Sequence, residues 1–406
     1  MSEPATLKRS LGLPMLTFYG LGTIVGGGFY ALIGEVSAEA GMLMPLAFLA
    51  AALIGLLSAF SFAELSARYP VSAGESQYVL EAFGRRWLSA AVGWMVILTG
   101  VVSAATLARA FARFAETLIA VPNEWVIAAV VIGLGVIAAW GIAESVWLAT
   151  IITIIEVGGL LFVFFAGSNH LAAVPDRWHE LIPSFSFTEW SSIFLGAYVA
   201  FYSFVGFEDL VNVAEEVKQP HRTLPAAILI SLGLTALLYG LVTLVAVLAV
   251  PMEQLAESKS PLSLIVGEGT TAAKVMACIG MLAGVNGALV QIVMASRVAY
   301  GMSKIGLAPR VFSNVHQLRQ TPIEATSAGA LCVLLLALWF PLVWLAKATS
   351  TILLIIYALV NLSLLVIKHR HPDPQGAGPR YAIWLPLFGF TSCVTFLVFH
   401  AVSVLL

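Results

Sequence analysis

Charged residues are scarce in this sequence. Lys, Arg, Asp and Glu make up 10% of its 406 residues and apolar residues make up 60%, whereas a soluble domain carries about 25% charged residues. A chain of this composition cannot cover its surface with polar groups, so that surface has to contact lipid. The net charge is −2, which says little about binding partners, and we expect no nucleic-acid partner.

Cysteine is rare, and no secretory signal is evident. The three cysteines, Cys278, Cys332 and Cys393, all lie in apolar runs, so neither a disulfide framework nor a metal-binding spacing is available. Residues 1–10 are polar, and the first apolar run lacks a small-residue cleavage site followed by a soluble domain. We therefore expect no metal and no cofactor, and we interpret the first apolar run as a membrane span.

Long apolar runs are abundant. A helix needs about 20 apolar residues to cross a bilayer. Runs of that length favour helices over barrel strands, because every backbone polar group in lipid must pair within its own segment. The sequence predicts an all-α integral membrane protein with eleven spans: 14–36, 42–66, 87–117, 125–143, 145–166, 193–216, 225–250, 271–300, 322–340, 349–368 and 382–405.

Basic residues predict the orientation of these spans. With the N-terminus in the cytoplasm, 14 of the 20 Lys and Arg residues fall on the inner side and 6 on the outer side, in agreement with the positive-inside rule. An eleventh span then leaves the C-terminus outside. Arg109 and Arg113 lie near the outer end of the third span, where we expect their side chains to snorkel toward water.

Two of the predicted spans are interrupted at mid-depth. The first contains Gly26, Gly27 and Gly28 within GLGTIVGGGFYALIGE, and the sixth contains the run SFVGFED around Gly206. Glycines in membrane helices commonly serve close helix packing, which is the simpler interpretation. Because the two breaks open two successive groups of five spans, we favour discontinuous helices that meet at the membrane midplane, as in inverted-repeat secondary transporters.

Such breaks suit an amino acid as substrate. Unwinding a helix in lipid exposes N–H and C=O groups, and each costs several kcal/mol unless it finds a partner. The N-terminus of a half-helix attracts a carboxylate, while the carbonyls that end the other half attract an ammonium group or a cation. An α-amino acid carries both groups.

Ionisable residues at mid-depth are costly and serve as functional hypotheses by default. Glu156 lies at the centre of the fifth span, where it could carry a proton or ionise to hold a sodium ion. Asn286, at the centre of the eighth span, makes either an interhelical hydrogen bond or a contact to the substrate or ion. Glu208 and Asp209 follow the second break, where they either gate and titrate or stabilise the start of a half-helix.

At these residues the sequence resembles the amino acid–polyamine–organocation (APC) superfamily, specifically its bacterial amino acid permeases. GLGTIVGGGFYALIGE resembles the family's first-span motif, and FYSFVGFEDLVNVAEEVKQPHRTLP resembles its sixth-span signature. PVSAGESQYVLEAFGRRW and ASRVAYGMSKIGLAP are similar to the segment after the second span and to the end of the eighth. The similarity runs from about residue 10 to residue 370 and says little about the substrate.

The resemblance implies the leucine-transporter fold, a 5+5 inverted repeat that works by alternating access, here with one additional C-terminal helix. The ten-helix core then covers residues 1–368, with repeats at 14–166 and 193–368. A cytoplasmic connector follows at 369–381, and an accessory helix at 382–406.

The resemblance also implies substrate-binding residues, through backbone N–H groups for a carboxylate and backbone carbonyls for an amine. These residues are Ile24, Gly26, Gly27, Gly28, Tyr202, Ser203 and Val205. Tyr202 and Phe207 flank the second break as an aromatic lid, with apolar packing as the alternative for both rings. Glu208 stands where related exchangers place an acid linked to gating.

One departure from the family concerns the coupling ion. Many proton-coupled members carry a lysine midway along the fifth span, whose ammonium replaces a sodium ion between the first, fifth and eighth spans. This chain has Glu156 there. A carboxylate cannot mimic the cation, but it could bind one or carry the proton itself. We expect Glu156 and Asn286 to take part in coupling, with H⁺ favoured over Na⁺.

The leading prediction is a proton-coupled symporter for a neutral amino acid in the bacterial plasma membrane. The third and tenth spans offer Thr99, Ser103 and Tyr357 to the pocket and no full charge. The alternatives are a cationic amino acid or polyamine transporter or exchanger, a sodium-coupled symporter and, less favoured, a nutrient sensor without transport. No nucleophile–base pair or metal spacing indicates an enzyme, and closed apolar midsections argue against a channel. Monomer and homodimer both stay open.

Overall fold

The computed structural model describes residue 9 and residues 11–71, 74–140, 145–316, 321–370 and 378–405, with side chains except at 140, 145–149 and 404. These residues form α-helices, short 3₁₀ segments and one isolated β-bridge. The α-helices are α1 (Leu13–Val25), α2 (Gly28–Ala40), α3 (Met44–Arg68), α4 (Gly74–Phe83), α5 (Arg86–Ala115), α6 (Asn123–Trp140), α7 (Ser145–Gly167), α8 (Val174–Arg177), α9 (Phe187–Phe201), α10 (Pro220–Ala249), α11 (Met252–Glu257), α12 (Pro261–Ile265), α13 (Thr271–Lys304), α14 (Ile323–Trp339), α15 (Leu342–Arg370) and α16 (Trp384–Leu405).

The described chain contains 8 helical stretches that are long and apolar enough to cross a membrane. Three shorter apolar helices accompany them, at Leu13–Val25, Asn123–Ala139 and Ile323–Trp339. The predicted class, an all-helical multi-pass membrane protein, is therefore confirmed. The count of eleven spans and the 5+5 repeat stay predictions. The predicted end of the fourth span at 143 and most of the predicted connector, 371–377, lie outside the described residues.

The first predicted span consists of two helices. α1 has Pro14 in its first turn, where the fixed φ of proline suits a helix, and it ends at Val25. Gly26 then has an extended ψ of 172°, and α2 begins at Gly28. The interruption falls on the predicted glycines, and α2 continues beyond the predicted end at residue 36.

The sixth predicted span is also interrupted, with different geometry. α9 begins at Phe187, ahead of the predicted residue 193, and ends at Phe201. A 3₁₀ turn covers Tyr202–Phe204, Gly206 has a φ of 126°, and a second 3₁₀ segment covers Glu208–Glu216. The second half of this span is therefore a 3₁₀ segment and not an α-helix.

Helix packing brings these two interruptions together. α1 contacts α7, α10 and α13, and α2 packs on α9. α5 lies along α13 over most of its length, and α3 lies along α10. The break between α1 and α2, the 3₁₀ segments after α9 and the middles of α5 and α13 consequently share one region inside the protein.

Backbone pairing joins the chain that enters α1 to the chain that leaves the second 3₁₀ segment. Leu11 and Val217 form a parallel β-bridge. The Leu11 N–H donates to the Glu216 carbonyl at 3.0 Å, and the Lys218 N–H donates to the Leu11 carbonyl at 2.8 Å. The two interrupted spans are thus tied to each other at this end as well as at their breaks.

The two arginines expected to snorkel make hydrogen bonds to neighbouring segments. Arg113 Nη1 lies 2.7 Å from Glu35 Oε1, and Arg113 Nη2 donates to the Ser258 carbonyl at 3.1 Å. Arg109 Nε donates at 2.6 Å to the carbonyl of Ala337, near the end of α14. Carbonyl and carboxylate acceptors lie within reach of both guanidinium groups, and snorkelling toward water stays a prediction.

Candidate functional site

The two breaks touch each other through Gly206. A Cβ on this residue would lie 2.6 Å from the carbonyl carbon and oxygen of Thr23, and its φ of 126° belongs to the region that favours glycine. Thr23 Oγ1 lies 3.0 Å from the Gly206 carbonyl and 2.9 Å from the Gly20 carbonyl, so its single proton serves one or the other. Glycine is required here because two backbones meet.

Tyr239 of α10 bridges the two breaks from the other side. Its hydroxyl lies 3.1 Å from the Ile24 carbonyl and 3.1 Å from the Ser203 carbonyl. Its ring stacks on Phe29 with the centroids 4.0 Å apart. Both carbonyls lie at helix ends, where no N–H group of the next helical turn is available to them. The Tyr239 hydroxyl therefore lies within hydrogen-bond distance of two backbone acceptors that the helices leave unpaired. Sequence analysis missed Tyr239, because nothing local marks a tyrosine in an apolar helix as a bridge.

Gly27 and Gly28 open the N-terminus of α2. Among the described residues no side chain caps this terminus, so its first N–H groups lack an intrahelical partner. A Cβ on Gly27 would lie 2.8 Å from the Cα of Gly284, and a Cβ on Gly28 would lie 3.1 Å from the Tyr202 ring. These glycines therefore provide close packing, the simpler interpretation, at the same place where they expose backbone N–H groups.

A cavity of about 20 Å³, room for about one water molecule, lies where the breaks meet. Of the residues named from the sequence, Ile24, Gly26, Gly28, Ser103, Tyr202 and Val205 line it. Gly27 and Ser203 do not line it, and the Ser203 hydroxyl is buried with no hydrogen-bond partner in the part of the chain that the structure describes.

The rest of the lining comes from residues that sequence analysis did not single out. They are Thr23, Leu107, Gly287, Val290 and Gln291. Gly287, Val290 and Gln291 share one face of α13, as i, i+3 and i+4 positions do. No Asp, Glu, Lys or Arg lines the cavity within the described ranges.

Tyr202 is held by the third predicted span. Its hydroxyl lies 3.0 Å from Ser103 Oγ and 3.1 Å from the Ser103 carbonyl. Phe207, the other expected gate residue, does not line the cavity: its ring packs on Phe62 and Tyr357 with centroids 5.5 and 5.2 Å away. Tyr202 is thus the ring at the cavity, and Phe207 belongs to an aromatic cluster behind it.

Glu208 stabilises the second break directly. Its Oε2 accepts a hydrogen bond from the Gly206 N–H at 2.9 Å and another from the Tyr357 hydroxyl at 2.7 Å. Tyr357 is therefore engaged by this acid and does not line the cavity, contrary to expectation. Thr99 does not line it either, since its hydroxyl donates to the Met95 carbonyl at 2.9 Å.

Glu156 lies fully buried on α7, which packs between α1 and α13. Asn286 Nδ2 lies 3.5 Å from Glu156 Oε1, at the limit of a hydrogen bond. Oε2 is buried, and none of the described residues offers it a hydrogen bond. The Glu156 backbone carbonyl accepts from the Tyr30 hydroxyl at 2.6 Å. The structure thus brings the two predicted coupling residues together and leaves the acid poorly satisfied.

Asp209 faces α13. Its Oδ2 accepts from Gln291 Nε2 at 3.0 Å.

Glu75 of α4, outside the long apolar helices, is 2% exposed. Burial raises the pKa of the Glu75 carboxyl to about 8, with a backbone hydrogen bond opposing the rise and the Glu208 carboxylate adding to it. Gln291 could have been found as a polar residue inside an apolar span. Glu75 lies in α4, which contains both polar and apolar residues, so a polar residue there does not stand out in the sequence.

A metal centre finds no support in the described ranges, where no group of three or more His, Cys, Asp or Glu side chains could hold an ion. What the region offers is backbone N–H groups at the start of α2, carbonyls around both breaks, a hydroxyl pair, one free amide oxygen and one poorly satisfied acid nearby.

The sequence is similar to a known protein family and to several known transporters. The sequence profile of a family described as amino acid permease matches residues 11–404. Cationic amino acid transporter 2, vacuolar, of Arabidopsis thaliana is 30% identical over 395 residues, which cover 91% of this chain and 61% of that protein. A branched-chain amino acid permease of Bacillus subtilis is 26% identical over 441 residues, covering 100% of this chain and 93% of the relative.

The names of the relatives indicate different substrates. A methylthioribose transporter of Bacillus subtilis is 25% identical over 396 residues, covering 92% of this chain and 84% of that protein. The chain spans 61% to 64% of the length of the first four cationic amino acid transporters it matches.

Proposed function

This chain belongs to the amino acid permease family, and from that premise we propose that it is a secondary active transporter that moves a neutral amino acid by alternating access. The observation that carries the proposal is the cavity at which two interrupted helices meet. Backbone N–H groups at the start of α2 suit the substrate carboxylate. Carbonyls of Ile24 and of the turn after α9 suit its amine.

The transporter would use the 5+5 inverted repeat with α16 as an accessory helix. The interruption between α1 and α2 and the one after α9 open the first and second groups of five predicted spans, which supports this arrangement. The excess of Lys and Arg on one side supports a cytoplasmic N-terminus, and the relatives from Bacillus subtilis support a bacterial plasma membrane.

Coupling to protons would run through Glu156. A charged carboxylate buried with one marginal partner is costly, so a proton or a cation that binds Oε2 lowers that cost. Asn286 Nδ2 at 3.5 Å orients the other oxygen. Among the described residues Glu156 belongs to no group of three or more His, Cys, Asp or Glu side chains that could hold an ion, and a carboxylate outside such a group suits a proton better than a multiply coordinated sodium ion.

A cationic amino acid is the second candidate, favoured by the names of the relatives at 30% identity. Glu208 and Asp209 are the acids closest to the second break, but both are already hydrogen-bonded, to Tyr357 and to Gln291. Every described residue that lines the cavity is uncharged. We therefore prefer a neutral substrate.

Uptake by proteoliposomes tests the proposal. Labelled neutral and cationic amino acids are offered under an inward proton gradient, an inward sodium gradient or no gradient, with protein-free vesicles as control. We expect saturable accumulation of a neutral amino acid above equilibrium, driven by the proton gradient and abolished by a protonophore. Linear, non-saturable flux would indicate a channel, absence of flux a sensor, and accumulation driven only by sodium would overturn the proton assignment.

A further inference from the structure

Gln291 combines two properties that no other residue of the cavity lining shares. It lines the cavity from α13, and its side-chain oxygen Oε1 is buried without a hydrogen-bond partner among the residues described. The residue as a whole is 5% exposed. A buried carbonyl oxygen without a donor costs free energy that a donor brought by a ligand would return.

The orientation of the Gln291 amide is fixed from behind. Its Nε2 donates at 3.0 Å to Oδ2 of Asp209, which is itself 2% exposed. Asp209 Oδ2 is the acceptor of this hydrogen bond, so it holds the NH₂ group on its own side. The oxygen is then the end of the amide that Asp209 does not occupy.

The hydroxyl groups of the cavity already make hydrogen bonds within the protein. Thr23 Oγ1 is placed against the carbonyls of Gly20 and Gly206. The hydroxyls of Ser103 and Tyr202 lie 3.0 Å from each other and bond one another. Gln291 Oε1 is therefore the side-chain oxygen of the lining that has no hydrogen-bond partner in the described chain.

We propose that Gln291 determines side-chain specificity, by accepting a hydrogen bond from an N–H or O–H group on the side chain of a neutral amino acid. This inference rests on the proposed transport function and adds the substrate class: amide- or hydroxyl-bearing side chains. Asp209 acts through Gln291 as a positioning residue. Apolar side chains of the same size fill the same space but leave Oε1 without a donor, and sites that hydrogen-bond a substrate group discriminate strongly against analogues that lack it.

Competition for uptake of a labelled substrate by proteoliposomes tests this inference with two pairs of similar size, glutamine against methionine and asparagine against leucine. In the unmodified protein, we expect the amide member of each pair to compete at about tenfold lower concentration or better. The ratio of interest is the competing concentration of the apolar member divided by that of the amide member. In Gln291→Leu and in Gln291→Met, which keeps an unbranched side chain, this ratio should fall to about one. Asp209→Asn, which no longer forces the amide orientation, should reduce the ratio.

Ser296→Ala is the matched control, because Ser296 lies on the same helix and, in the described chain, its hydroxyl donates to the Val293 carbonyl at 2.8 Å. The competition ratio of this variant should equal that of the unmodified protein.

Equal competition by methionine and glutamine in the unmodified protein would overturn the inference, as would stronger competition by lysine than by glutamine. An unchanged ratio in both Gln291 variants would also overturn it. If neither Gln291 variant transports, substrate-induced thermal stabilisation of the detergent-solubilised variants supplies the same ratios. Absence of uptake of every amino acid by the unmodified protein is the separate failure that refutes the transport function itself.

Discussion

Glu156 and Glu208 both lie deep among apolar helices, yet their hydrogen bonds differ. Glu208 Oε2 accepts from the Gly206 N–H at 2.9 Å and from the Tyr357 hydroxyl at 2.7 Å. Glu156 has a single contact at 3.5 Å, from Asn286, and its second oxygen has no partner in the described ranges. A carboxyl group with fixed donors is part of the fold, whereas one without them gains most from an added proton or cation. Depth in the membrane alone does not identify a coupling residue.

The largest effect is expected where Glu208 meets the backbone break. In Gly206→Ala the new Cβ would fall 2.6 Å from the Thr23 backbone at a φ of 126°, and backbone cannot move aside as a flexible side chain can. We expect a loss of about 4 kcal/mol or more in the free energy of unfolding. The measurement is the yield and thermal midpoint of the purified protein in detergent.

Gly233→Ala is the control for that substitution. Nothing in the described chain lies within 4 Å of a Cβ on Gly233, and alanine is the better helix former by about 1 kcal/mol. We expect this variant to match or slightly exceed the unmodified protein in stability. Equal stability of Gly206→Ala would show that the two breaks do not touch as described.

Replacing each acid by leucine compares the two surroundings directly. Glu208→Leu leaves the Gly206 N–H and the Tyr357 hydroxyl without their acceptor, at a cost of about 2–5 kcal/mol for two unsatisfied buried donors. Glu156→Leu removes a poorly satisfied acid, so stability should change little or rise. Chemical denaturation of both variants in the same detergent measures the difference. A greater loss in Glu156→Leu than in Glu208→Leu would reverse the comparison.

A smaller, pH-dependent effect is expected at Glu75. Burial raises the pKa of this carboxyl in the folded protein from 4.5 to about 8, so the fold prefers its neutral form. The contribution of Glu75 to stability is then fully present below about pH 4.5 and is lost as the pH rises to about 8. Glu75→Gln keeps a neutral group at every pH, so its advantage in thermal midpoint over the unmodified protein should grow between pH 5 and pH 9.

The control at this helix is Glu81→Gln, which removes one negative charge from an exposed position. A midpoint difference for Glu75→Gln that stays constant across this pH range, as a simple charge deletion gives, would mean that Glu75 is ionised in the folded protein at the lower pH.

Local sequence signals predicted most of the long helices and the position of both breaks, but not the 3₁₀ segment at Glu208–Glu216. Apolar run length predicted where helices lie, and the glycines at 26–28 and 206 marked where the chain cannot continue as a helix. Glu156 and Asn286 were both placed at the centre of their spans from the sequence, and their mutual contact at 3.5 Å comes from the structure.

Contacts between distant parts of the chain could not be predicted in the same way. Tyr239 reaches Ile24 across 215 residues, and Gln291 reaches Asp209 across 82. Such contacts depend on helix rotation and register, which apolar composition on all sides leaves undetermined. For that reason Tyr357 was expected in the cavity although it faces Glu208, and Gln291 was not singled out.

The most direct test of the account is proton-driven accumulation by Glu156→Gln in proteoliposomes, measured beside the unmodified protein and beside Glu268→Gln, an exposed loop position. Exchange of internal for external substrate is measured in the same vesicles, so that loss of coupling is separated from loss of folding. The account predicts that Glu156→Gln no longer accumulates substrate above equilibrium under a proton gradient while Glu268→Gln does. Accumulation by Glu156→Gln equal to that of the unmodified protein would contradict it.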